Sequence, residues 1–66
     1  MNSVGDEFPK EQARVRELLG EYKALGPVGV FGATMIEQVL KRADQAAISG
    51  DVVAVVRSFQ ELKGCQ

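Results

Sequence analysis

The stretch from Gly26 to Gly50 limits what this chain can fold into more than any other. It opens on a Gly-Pro break and closes on Ser49-Gly50-Asp51, with a continuous apolar stripe between them. Gly26 suits the left-handed conformation that ends a helix, and Pro27 suits the first position of the next. Val28, Phe31, Met35, Val39, Ala43 and Ala46 follow at steps of three or four, flanked by Ile36, Leu40 and Ala47. That period is helical. Thr34-Met-Ile-Glu37 has the spacing of a capping box and offers a later start. A cap at Thr34 would leave Val28 and Phe31 no reason to share the phase of the stripe. The reading is therefore a central helix over about 27–48, roughly 33 Å long. On its outer face Glu37 and Lys41 form an i,i+4 pair.

The flanking segments read as two further helices. Phe8-Pro9 is a start signal, since proline is pre-organised for the first helical position and pushes its predecessor out of the helical region. Val15, Leu18, Leu19, Tyr22 and Leu25 then recur at helical spacing, with Lys10, Glu11, Arg14, Glu17, Glu21 and Lys23 opposite. This predicts a first helix over about 9–25, with residues 1–7 frayed. Gly20 inside it costs about 1 kcal/mol relative to alanine, and close approach of another helix is the simplest reason for it. Gly50 is a natural stop and Asp51 a natural N-cap. Val52, Val55, Val56, Phe59 and Leu62 give a third stripe. A strand competes for Val52 to Val56, which are rich in β-branching. The stripe continues through Phe59 and Leu62, however, and a lone strand would have no partner. The fold class is all-α: three helices, about 9–25, 27–48 and 51–63, in a single small helical domain with the central helix as its spine. Residues 64–66 read as a frayed end.

A chain of 66 residues buries only about 60% of the surface it exposes when unfolded, and its stability is marginal. Such chains take help from disulfides, metals or oligomerisation. Cys65 is the only cysteine and there is no histidine, which removes an internal disulfide and a structural zinc site. Oligomerisation is left, and the expectation is a homodimer. The apolar surface agrees. Val53 lies off the third stripe, and the central helix is apolar or small over most of its circumference between Val28 and Ile36. Gly29 and Ala33, one turn apart, can admit a second helix. The candidate interface is Val28, Gly29, Phe31, Gly32, Met35, Ile36, Val39 and Val53, facing a second copy or an unidentified protein partner.

Other functions fare worse. Gly26, Gly29 and Gly32 form Gly-x-x-Gly-x-x-Gly, which is neither the dinucleotide fingerprint nor a P-loop, and no strand precedes it. Ala46, Gly50, Val56 and Phe59 fall at the offsets of a helix-turn-helix junction over 46–59, so a DNA-binding regulator is the alternative. The helix that would enter the groove offers Arg57 as its one cation among Val52, Val53, Ala54 and Ser58, and DNA affinity rests largely on phosphate neutralisation. A net charge of −1 gives no footprint for nucleic acid or an anionic membrane. Catalysis has no histidine to work with. Cys65 lacks an activating partner, Glu17 and Glu21 read as a solvated pair, and Tyr22 reads as a core-edge residue with its hydroxyl in water. The expectation is no enzyme, no cofactor and no metal. A lone cysteine, no basic leader and no long apolar run fit a reducing cytoplasm.

Three segments carry a resemblance: Arg14-Val-Arg-Glu-Leu-Leu, Gly26-Pro-Val-Gly-Val-Phe-Gly-Ala-Thr-Met-Ile-Glu, and Ser49-Gly-Asp-Val-Val-Ala-Val-Val-Arg-Ser-Phe. Together they resemble small bacterial and phage-encoded helical proteins of unknown function, over most of the chain from Phe8 onward. The resemblance implies a phage or prophage origin. It implies no activity, and it carries over no functional residue.

Overall fold

The computed structural model describes residues 3–66. Three α-helices follow one another, α1 (Val4–Ala24), α2 (Val30–Ser49) and α3 (Val52–Gly64), with a 3-10 turn over Gly26–Gly29 leading into α2. There is no strand among the described residues. Val52 to Val56 are helical, so the stripe through Phe59 and Leu62 overrides β-propensity there.

α1 starts five residues before the Pro9 expected from the sequence. Ser3 is its cap: the hydroxyl accepts from the Asp6 N–H at 3.2 Å, and the Asp6 carboxylate accepts from the Ser3 N–H at 3.4 Å. This reciprocal arrangement satisfies two N–H groups that a helix start otherwise leaves orphaned. Residues 4–7 are thus helical rather than frayed, while Met1 and Asn2 lie outside the described residues. Pro9 sits within the helix, where it forgoes one backbone bond. Phe8 beside it is buried in the core and holds that turn in place.

Gly26 takes the left-handed conformation, φ 70°, and ends α1 as its position suggests. The start of α2 falls between the two candidates. Pro27 opens a 3-10 turn, and regular α-geometry begins at Val30. Thr34 is no cap. It lies inside the helix with its hydroxyl donating to the Val30 carbonyl at 2.9 Å. Gly50, φ 71°, ends α2, and the Asp51 carboxylate accepts from the N–H groups of Val53 (3.0 Å) and Ala54 (3.3 Å) to start α3.

The core joins Phe8 and Val15 of α1, Ile36, Leu40 and Ala43 of α2, and Leu62 of α3. Burying one such leucine contributes about 2 kcal/mol. Around it, Asp44 accepts from Gln12 (2.9 Å) and pairs with Arg16 (2.7 Å), Lys23 pairs with Glu37 (3.2 Å), and Arg42 pairs with Glu61 (2.8 Å). These pairs are exposed, so water screens them and they fix register more than they add stability. Glu37 is engaged by Lys23 across the helices, where the sequence had suggested Lys41.

Two glycine expectations change. Among the described residues nothing lies within 4 Å of a Cβ placed at Gly20, so none of the described helices approaches there. The close approach is at Gly29 and Gly32. A Cβ at Gly29 would run into the Tyr22 carbonyl oxygen, and one at Gly32 would lie 2.6 Å from the Tyr22 ring. The small-residue seam is real, but it joins α2 to α1 within one chain.

Candidate interaction surface

The exposed apolar surface follows from unequal helix lengths. α2 has 20 residues and α3 has 13. α3 turns back at Gly50-Asp51 and runs antiparallel to α2, as the Arg42–Glu61 pair requires. It ends at Gly64, with Cys65 and Gln66 reaching the neighbourhood of Met35, Ile36 and Val39. The opening turns of α2 run on past it, packed against α1 on the Gly29–Gly32 side and exposed on the side of Phe31 and Met35.

Val28 is 87% exposed, Phe31 80% and Met35 50%. Phe31 and Met35 lie one turn apart on one face, and Val28 precedes them in the 3-10 turn. Leu25 and Val30 are exposed at the same end of the molecule. No charged residue stands between Lys23 and Glu37. An apolar, uncharged surface at one end of a small domain has the composition of an interface core.

The residues singled out from the sequence divide into three groups. Val28, Phe31 and Met35 come together on this surface, with the half-buried Gly32 and Val39 at its border. Gly29 and Ile36 do not belong to it. Both are buried inside the chain, Gly29 against α1 and Ile36 in the core, and neither can meet a partner. Val53 is 59% exposed but stands in the first turn of α3, beyond the far end of α2. Phe31 and Ile48 at the two ends of that helix are separated by roughly 26 Å. Val53 sits instead beside Val52 and Val56, exposed apolar residues of the first turns of α3, with Ile48 exposed at the end of α2. The sequence reading placed Val52 and Val56 on a buried stripe and missed their exposure. Two valine pairs in successive positions of one helix, Val52-Val53 and Val55-Val56, are more than one face can bury, and that was the available signal.

The helix-turn-helix pattern is met in part. Ala46 is buried and Gly50 is left-handed. Val56, which that pattern buries, is exposed. A helix-turn-helix sets its helices at roughly 90–120°, whereas α2 and α3 stay side by side as far as Arg42 and Glu61. The Asp51 carboxylate is occupied in capping α3.

No group of three or more His, Cys, Asp or Glu side chains among the described residues could hold a metal. Partial burial, aided by Glu61 and opposed by Arg14, pushes the Cys65 thiol up from its ordinary range. That disfavours the nucleophilic thiolate at neutral pH. The Tyr22 hydroxyl donates to the Gln66 carbonyl at 2.6 Å rather than standing in water alone. No described helix is long and apolar enough to cross a membrane. Comparison with protein-family models, characterised proteins and solved structures gave no match.

Proposed function

We propose that this chain is a small, non-catalytic helical interaction module. Its working surface is the uncovered start of α2, centred on Phe31 with Val28 and Met35, and its partner is a second copy of itself. The observation that carries the reading is the exposure of those three side chains on a stretch free of charge. A two-fold contact would bury the same patch twice. It would also supplement the marginal core of a short chain. The resemblance to phage-encoded proteins suggests an accessory role in that setting and adds no chemistry.

Thermal unfolding at several protein concentrations tests this. A dimer linked to folding gives a Tm that rises with concentration. Phe31→Asp should abolish that dependence while keeping the helical circular dichroism spectrum, because Phe31 contributes little to the core of one chain. A concentration-independent Tm for the unaltered protein would count against the proposal.

A further inference from the structure

A second feature lies on another face. α2 and α3 alone line an open trough of about 830 Å³, a volume within the range of small-ligand sites. Ala46 and Ala54 form its apolar floor. The Arg42–Glu61 ion pair spans one end, and Ser49 beside the connecting turn marks the other. From Arg42 to Ser49 the trough measures about 10 Å along α2.

Ser58 is the unusual residue in it. It shares the buried phase of α3 with Val55 and Leu62, and only 5% of its surface is exposed. Its hydroxyl makes no hydrogen bond to protein among the described residues. No fully enclosed side-chain nitrogen or oxygen there lacks a partner, so the hydroxyl opens to the trough that Ser58 lines. Water in the trough meets this hydroxyl when nothing else does, and a ligand acceptor seated there can take the water's place. Arg57, also lining the trough, has no carboxylate within ion-pair distance among the described residues. Arg42 is different, because Glu61 already meets its charge and raises its pKa through a hydrogen bond and direct attraction.

We infer that the trough binds a small organic carboxylate. The carboxylate accepts from the Arg57 guanidinium and the Ser58 hydroxyl, and the apolar body lies on Ala46 and Ala54. The excess of cationic over anionic side chains selects an anion, since the Arg42–Glu61 pair is neutral and Arg57 is not. The alanine floor selects a ligand with an apolar body over a bare inorganic anion. The short length favours a compact ligand over a partner helix, which would have to ride over the Arg42–Glu61 bridge.

The test is an amide NMR titration of the full chain with sodium benzoate, its neutral isostere benzamide, and inorganic phosphate. Benzoate should give saturable shifts at Ala46, Ala54 and Ser58 and at the Arg57 side chain. Arg57→Gln, at an exposed position that leaves folding intact, should weaken benzoate by roughly tenfold or more, because a charge-assisted bond is lost. Ser58→Ala should weaken it by about threefold or more, the loss of one hydrogen bond. Benzamide and phosphate should bind more weakly than benzoate. The inference is overturned by an unsaturable benzoate response or by benzamide binding as tightly. It is equally overturned by phosphate binding as tightly, or by full affinity in Arg57→Gln.

Discussion

The two informative glycines of the helices have opposite roles, and substitution separates them. Gly29 is pressed against the backbone of α1, and a methyl group there meets the Tyr22 carbonyl. Backbone cannot swing aside as a side chain can, so Gly29→Ala should destabilise by about 1–3 kcal/mol, the usual cost of overpacking. Gly20 is exposed with open space around it. Gly20→Ala should stabilise by about 0.4–1 kcal/mol, by narrowing the unfolded ensemble. Urea denaturation of both variants reads the two signs, and the reverse order would contradict the assigned packing. Cys65 gives a third residue-level expectation. Folding holds its proton more tightly than the unfolded chain does, chiefly through desolvation. Its contribution to stability is therefore fully present below the ordinary thiol pKa and is lost as pH rises from there through the raised one. Alkylation by iodoacetamide should accordingly show an inflection above that of an unfolded peptide containing the same cysteine. An inflection at lower pH would refute the burial argument.

At the scale of elements, the sequence was most legible where apolar periodicity was long. α2 and α3 were located by their stripes, and the helical reading of the valine-rich Val52 to Val56 segment holds. Boundaries set by local chemistry were harder to see. Phe8-Pro9 looked like a start because proline is favoured there, yet Ser3 and Asp6 cap the helix earlier and Phe8 anchors its first turns. Ser3→Ala removes the side-chain acceptor of that box and should cost about 1 kcal/mol. The loss should appear as weaker hydrogen-exchange protection in the first turns of α1, with α2 and α3 unchanged. Uniform loss of protection along the chain would mean that the cap supports more than its own helix. The end of α3 was read to within one residue, about 63 against Gly64, but what caps it was hidden. Arg14 of α1 donates to the carbonyls of Leu62 (2.8 Å) and Cys65 (3.1 Å), so a cation distant in sequence caps that helix. No local pattern in residues 60–66 announces it.

For the whole molecule, the class of fold was readable and the direction each face points was not. The stripe of α2 is buried only in its second half, at Ala43 and Ala46; in its first half the core takes the flanking Ile36 and Leu40, and Phe31 and Met35 stay exposed. Rotation of α2 is constrained by the tight contact of Gly29 and Gly32 with Tyr22 across the turn between the helices, which helical period cannot encode. The shortness of α3 then decides which apolar residues remain uncovered. The proposed role depends on that consequence: an end of the bundle where α3 stops short and α1 covers only the Gly29–Gly32 side, leaving Val28, Phe31 and Met35 exposed. Sedimentation equilibrium of the unaltered chain and of Phe31→Asp, across low to high micromolar concentrations, tests it most directly. The account predicts a reversible monomer–dimer equilibrium for the unaltered chain and a folded monomer at every concentration for the variant. A unaltered chain that stays monomeric throughout, or a variant that dimerises with unchanged affinity, would contradict it.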